Sequence, residues 1–383
     1  MKGNHHPSRR FLLGSACAAF AGLHQQPAMA QQGDPYAYPD EAAAYLRRIL
    51  DPAQQRFAFR ENYPGGISRW QQEARAELRR NLGLDTIAAG AGKHQPVVDL
   101  SGPVTDMGGY TRQMGTIETE PDVRMPFYLL KPKTGGPWPL AVFPHGHSDR
   151  GHHTTAGVFD DEAQKKHALD EDRDVAVQAA QRGMLAIAPT VRGLSGGIVP
   201  DIQGRHGKRD CRSHVMHCLL AGRTAVGERV WDISRILDWA TKLPNVDARR
   251  ILSMGNSGGG MVTIFAAACD ERISVAVPSC SFAPTTSKSG YIFHCDCNTV
   301  PGLHDLGGLP GVAGLAAPRH LLSVNGVKDS LHSPPEIEAA AAYVRGIYRA
   351  SGRPERYEHR WGSGGHRFYK ELMWPFIEQA FRS

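Results

Sequence analysis

A serine, an acid and a histidine each stand just past an apolar run in this chain, where a covalent catalyst would need them. Ser257 is the centre of Gly255-Asn256-Ser257-Gly258-Gly259, a G-x-S-x-G spacing. A serine hydroxyl becomes a useful nucleophile when the backbone holds it out of a sharp strand-to-helix turn beside a base. The flanking positions must be almost free of side chain for strand and helix to approach. Ile251–Met254 before the turn and Met261–Ala268 after it are apolar enough to be that strand and that helix. Asp329 follows the run His320–Asn325, and His366 follows Tyr357–Trp361. The chain order Ser257, Asp329, His366 suits acyl transfer: His366 takes the serine proton and returns it to the leaving group, while Asp329 fixes the imidazole tautomer. Glu336 and Glu338 are competitors for the acid role.

A second group of candidates lies at Phe143-Pro144-His145-Gly146-His147, again past an apolar run. Such a loop supplies one oxyanion donor and the turn after the nucleophile the other, so the backbone N–H groups of His147 and Gly258 are assigned to the hole. His145, Arg192 and Trp361 are the candidate substrate-binding residues. Arg192 has bracing of a carboxylate as its alternative role, and Trp361, like Tyr291, has core packing. The loop is rich in histidine (His145, His147, His152, His153), which leaves a metal site open there. A second metal alternative is Cys280, His294, Cys295 and Cys297, although C-x-C is not the usual C-x-x-C spacing. Neither is adopted, and no metal is assigned.

The elements that must position these residues are strands alternating with helices. Strands are expected at Thr111–Glu120, Met125–Lys131, Pro139–Phe143, Met184–Ala188, Arg250–Met254, Ile273–Val277, His320–Asn325 and Tyr357–Trp361. Helices are expected at Glu41–Leu50, Ser68–Leu82, Val175–Arg182, Met261–Ala268, Glu336–Ala350 and Tyr369–Phe381, with one long helical region over Ser213–Leu243. This pattern implies an α/β fold with a mostly parallel central sheet covered by helices on both faces, plus an N-terminal helical extension. Ligands in such sheets bind beyond the carboxyl ends of the strands.

The chain has 383 residues, of which 21% are charged and 41% hydrophobic, a globular composition. Its formal charge of +6 includes Lys2, Arg9 and Arg10 near the N-terminus, and no Lys/Arg block follows, so nucleic-acid binding is not indicated. Ser8-Arg9-Arg10-Phe11-Leu12-Leu13, a modest apolar region and Ala28-Met29-Ala30 read as a twin-arginine signal and cleavage site. The expected organisation is a signal over 1–30, the helical extension over 31–109 and the catalytic domain over 110–383, in a periplasmic or secreted protein. No internal stretch suits a membrane span. Cys211, Cys218, Cys269, Cys280, Cys295 and Cys297 remain after the signal. An even number in an oxidising compartment favours disulfides, with the pairing open and Cys269 read as a free thiol.

Five segments together resemble a known group: Phe143–His147; Gly222-Arg223-Thr224-Ala225-Val226-Gly227 with Val230-Trp231-Asp232; Gly255–Gly260; Ala317-Pro318-Arg319; and Gly364-Gly365-His366-Arg367-Phe368. From about residue 110 to the end the chain resembles bacterial α/β-hydrolases of the acetyl-xylan-esterase-like or dienelactone-hydrolase-like branch. The resemblance implies a Ser–Asp–His carboxylic ester hydrolase, without metal or organic cofactor, acting on short acyl esters of carbohydrate. Dienelactone hydrolases proper use a cysteine where this chain has Ser257. The alternatives are a serine peptidase of the prolyl-oligopeptidase type, for which the region before residue 110 is too short to hold a propeller, and a non-catalytic binding protein on a hydrolase fold. Oligomeric state stays open.

Overall fold

A computed structural model describes residues 38–195, 199–287 and 290–383. Residues 1–37, which hold the expected signal and the first residues of the expected extension, lie outside this set. Among the described residues ten strands form one sheet: β1 (Val97–Asp99), β2 (Val104–Asp106), β3 (Tyr110–Glu120), β4 (Val123–Pro132), β5 (Trp138–Val142), β6 (Leu185–Pro189), β7 (Val246–Asn256), β8 (Val275–Ser279), β9 (His320–Gly326) and β10 (Tyr357–Gly362). Their order is β1-β3-β4-β6-β5-β7-β8-β9-β10, with β2 paired beside β3. The six strands from β6 to β10 along this order are parallel, and β1 to β4 add to them as antiparallel neighbours.

The inner parallel strands β5, β6, β8 and β9 are buried on both faces, as strands covered on both sides must be, whereas the edge strand β10 carries Glu358, His359 and Arg360. Along β5, Leu140 and Val142 enter one core while Ala141 enters the other. Along β9, Leu321 enters the first, and Leu322 and Val324 the second. The first core is closed by helices that include Gly66–Leu82, Ala225–Ala240, Gly258–Cys269 and Pro334–Ala350. The second is closed by Val175–Gln181 and Lys370–Ala380. The helix Gly258–Cys269 is buried all round from Gly258 to Ala268, which is why its sequence carries no polar face.

The long helical region expected over Ser213–Leu243 is two helices, Asp210–Leu220 and Ala225–Ala240. Gly222 turns the chain at φ 67°. Thr224 then caps the second helix, its Oγ1 accepting from the Gly227 N–H at 2.9 Å while donating to the Leu82 carbonyl at 3.0 Å. That second contact ties the cap to the N-terminal extension. Trp70, Leu78, Leu82 and Ile87 of the extension are fully buried in the same core as Phe265, and β1 and β2 pair with β3. The extension is therefore not only helical, and it shares its core with the segment after residue 110.

Candidate active site

β7 ends at Asn256, and the chain reverses at Ser257 with φ 57° and ψ −124°, a conformation costly for a residue with a side chain. The turn is held by the Ser257 N–H donating to the Ser279 carbonyl at 2.9 Å, and by the first helical bond, Met261 N–H to Ser257 O at 3.0 Å. The serine side chain makes no cap hydrogen bond, so its hydroxyl is not spent on the helix. The glycines are required by contact. A Cβ at Gly255 would lie 2.4 Å from Gly259, and one at Gly259 would lie 2.0 Å from the Pro144 carbonyl oxygen. The far end of the helix is fixed by two arginines. Arg319 donates to the Ala267 carbonyl at 2.6 Å, and Arg75 to that of Ala268 at 2.9 Å, satisfying carbonyls the helix leaves open.

Asp329 and His366 meet beyond the carboxyl ends of β9 and β10. The two loops are joined by Val327 N–H to Gly362 O and Lys328 N–H to Gly364 O, each 2.9 Å. Across them His366 Nδ1 donates to Asp329 Oδ2 at 2.7 Å. Asp329 is buried and also accepts from the Leu331 N–H at 3.1 Å. Burial works against its charge, but the hydrogen bond and charge of His366 outweigh it and hold the carboxyl below the ordinary aspartate range. The same edge carries Ser257, because Ser279, which accepts from the Ser257 backbone, donates from its own hydroxyl to the Arg367 carbonyl at 2.8 Å. The competing acids have other places: Glu338 accepts from Trp361 Nε1 at 2.6 Å, and Glu336 lines a groove that Ser257, Asp329 and His366 do not line.

The loop after β5 packs directly on the elbow. A Cβ at Gly146 would lie 3.1 Å from Ser257 Cβ and 3.5 Å from the Gly258 nitrogen. Gly258 opens its helix, so its N–H has no intrahelical acceptor. The Gly146–His147 segment thus stands against the start of the nucleophile helix.

The three substrate-binding candidates have other partners. His145 is buried, donating from Nδ1 to the Gly146 carbonyl at 2.6 Å and accepting the Val191 N–H on Nε2 at 3.2 Å. Burial lowers its pKa to about 4, so the ring is a neutral strut of the loop. Arg192 is 3% exposed and faces three carboxylates, Glu120 at 2.8 Å, Glu228 at 3.1 Å and Asp232 at 2.6 Å. It braces acids, with all three of its nitrogens engaged among them; Arg223 and His214 complete the cluster on Glu120 and Glu228. This cluster is the physical content of the segment Gly222–Asp232. Trp361 is held to the helix Pro334–Ala350 through Glu338, with the His359 ring against it at 4.9 Å. Tyr291 rests on Tyr38 and Phe293.

His332, which the sequence did not single out, and Cys280 complete the surroundings. His332 also faces Asp329, its Nδ1 4.0 Å from Oδ2, and is kept neutral by burial, its pKa lowered to about 4. Cys280 lies beside the Asp329–His366 pair, its thiol donating to the Arg367 carbonyl at 3.4 Å, and burial raises it to about 11. The disulfide expectation is overturned: all six cysteines among the described residues are free thiols. The proposed grouping of Cys280 and His294 with Cys295 and Cys297 is also split, since Cys280 sits at the catalytic edge and His294 against His332. A groove of about 900 Å³ lies between the helix Asp40–Ile49, the segment 284–310 and Tyr343; none of Ser257, Asp329 or His366 lines it. Among the described residues no helix is long and apolar enough to cross a membrane.

Comparison with known proteins agrees with this architecture. The sequence model of the acetyl xylan esterase (AXE1) family matches residues 166–286, a span that includes the elbow. YtaP of Bacillus subtilis (strain 168), which is named a hydrolase, is 26% identical over 256 residues, covering 63% of this chain and 78% of that protein. Among solved structures, methylesterase BT1017 superposes with a TM-score of 0.64 at 20% identity, over 91% of this chain and 70% of that one. A glucuronoyl esterase from Solibacter usitatus gives 0.61 at 18% identity, over 86% and 97%. By its sheet, its elbow and these likenesses, the chain has an α/β-hydrolase fold, and over residues 166–286 it is similar to the acetyl xylan esterase family.

Proposed function

We propose that this protein is a serine esterase that works through an acyl-enzyme on short acyl esters, acetyl foremost, carried by carbohydrates, and that it acts outside the cytoplasm after twin-arginine export. The observation that carries the catalytic reading is the 2.7 Å bond from His366 to the buried Asp329, on the same sheet edge as a serine in an elbow conformation. Ser257 Oγ attacks the ester carbonyl as His366 Nε2 takes its proton. The negative charge on the carbonyl oxygen falls to the N–H groups of His147 and Gly258. The imidazolium that forms is stabilised by Asp329 and returns the proton to the departing alcohol. Water, activated by the same imidazole, then releases the acid. The carbohydrate part of the proposal is supported by the family match and the esterase neighbours.

The test is hydrolysis of p-nitrophenyl acetate, butyrate and octanoate by the mature protein beside Ser257→Ala. Fastest cleavage of acetate with a dead variant supports the reading, and acetylated polysaccharides are then the next substrates. Equal activity of the two proteins removes Ser257 as nucleophile. Equal inactivity on all three esters, repeated on acetylated xylan, removes the esterase reading.

A further inference from the structure

Three distant segments bring one imidazole and three thiols to a single point. His147 follows β5, Cys211 sits in the first turn of the helix Asp210–Leu220, Cys295 stands at the N-cap of a short 3-10 turn, Asp296–Asn298, and Cys297 lies within that turn. The His147 ring nitrogen and the three sulfurs all lie within 4.8 Å of one another, and His147 Nε2 is 3.2 Å from Cys297 Sγ. In a tetrahedral zinc site with Zn–S near 2.3 Å and Zn–N near 2.0 Å, neighbouring ligand atoms stand roughly 3.5–3.8 Å apart. The four atoms are therefore at or within about an ångström of that geometry. Cys211 and Cys297 are buried, Cys295 is half-buried, and His147 is the exposed ligand.

We propose that His147, Cys211, Cys295 and Cys297 form a structural Cys₃His metal site, with zinc as its natural ion, which clasps the oxyanion loop to two neighbouring segments. The donor set decides the class of ion. Three thiolates and an imidazole suit zinc and disfavour calcium or magnesium, and four protein ligands leave no open position for catalysis. Binding releases the three thiol protons to solvent and uses a neutral imidazole. The complex then carries a net charge of −1, which needs a cationic neighbour. Arg229, 1% exposed, supplies it: Nη1 donates to the Cys297 carbonyl at 3.0 Å and reaches the Cys297 sulfur at 3.7 Å. Arg212 pairs with Asp296 in the same turn.

The clasp has a consequence for the active site. A Cβ on Gly258 would lie 3.4 Å from His147 Nδ1, so the ring that binds the metal packs against the start of the nucleophile helix. Fixing that ring fixes the His147 backbone, which is the candidate oxyanion donor. Metal loss is then expected to lower kcat by about tenfold or more while KM changes less. That consequence rests on the proposed esterase reading; the metal site itself does not.

The test is metal content by inductively coupled plasma mass spectrometry on untagged protein purified without chelator or added metal. It is run on wild type, Ser257→Ala, Cys295→Ser, His147→Gln and Cys269→Ser. The expected result is about one zinc per chain in wild type, Ser257→Ala and Cys269→Ser, and substantial loss in Cys295→Ser and His147→Gln. Cobalt exchanged into wild type is expected to show the intense visible bands of tetrahedral thiolate-bound Co(II), weakened in His147→Gln, whose exposed substitution leaves the core intact. Thiol titration of denatured, unreduced protein with chelator is expected to find all six of these cysteines free. A disulfide among Cys211, Cys295 and Cys297, a metal-free wild type, or zinc that survives both ligand substitutions would each overturn the site. Full metal in an enzyme without esterase activity would sink the functional reading and leave the metal site standing.

Discussion

Gly259→Ala puts the coupling of elbow and oxyanion loop to the test with a single methyl group. The added Cβ would lie 2.0 Å from the Pro144 carbonyl oxygen and 2.8 Å from the His145 carbonyl carbon, where real Cβ atoms essentially never approach within 3.0 Å. Both neighbours are backbone, so no side-chain rotation relieves the clash. The loop, the helix or both must retreat by about 1 Å, and misplacement of that size costs on the order of 100-fold in rate, or about 2.7 kcal/mol of barrier. Overpacking adds roughly 1–3 kcal/mol of lost stability. The assay is kcat/KM on p-nitrophenyl acetate at a temperature where both proteins are folded by circular dichroism. Gly109→Ala is the control, since a Cβ there meets nothing within 4 Å. The expected outcome is a folded Gly259→Ala protein with about 1% of wild-type kcat/KM and a Gly109→Ala protein that is unaffected. A Gly259→Ala enzyme within twofold of wild type would refute the claim that the Pro144–His147 loop is registered against the elbow for catalysis.

Asp329→Asn should keep the fold but present an amide to His366 Nδ1, favouring the wrong tautomer; kcat is expected to fall by about 10⁴-fold, and a fall under tenfold in stopped-flow acetate hydrolysis would take the acid role from Asp329. Arg192→Met strands Glu120, Glu228 and Asp232 without their shared cation and should cost about 3–5 kcal/mol in urea denaturation; unchanged stability with a raised KM would return Arg192 to the substrate. Stability should fall as pH drops below about 6.5. Burial lowers the pKa values of His145, His332 and His359 to about 4 and those of His152 and His294 to about 3. Since the folded values lie below the unfolded one, the unfolded chain binds protons first. The contribution is complete above about pH 6.5 and lost as pH falls towards 4 and 3, at up to about 1.4 kcal/mol per pH unit for each histidine. Urea midpoints flat between pH 7 and pH 4.5 would contradict this.

Local patterning in the chain settled the strands that carry the site and the turn that carries the serine. Apolar runs bounded by glycine and proline are local signals, and Gly255 and Gly259 are demanded by a local close approach that only missing side chains permit. The break at Gly222 was within reach too, since glycine followed by a threonine cap marks a helix end and a helix start. The fates of polar side chains were not legible in this way. Whether Arg192 faces a substrate or three acids depends on Glu120, far back in β3, and on a helix that packs across it. Glu338 and Asp329 are both acids near one strand end, and only the packing of β9 against β10 brings Asp329 to His366 and gives Glu338 to Trp361.

The cysteines show the same division most plainly. The pair Cys295-x-Cys297 is visible in the chain, but its nearest companions in sequence, Cys280 and His294, are carried away by β8 and by the His332 contact. Cys211 and His147, some 84 and 148 residues before Cys295, are brought in their place. Spacing along the chain reports neighbours only within a turn or a helix. A cluster assembled from the ends of separate elements is set by the order and direction of the strands, and that is decided when the sheet closes on its two cores.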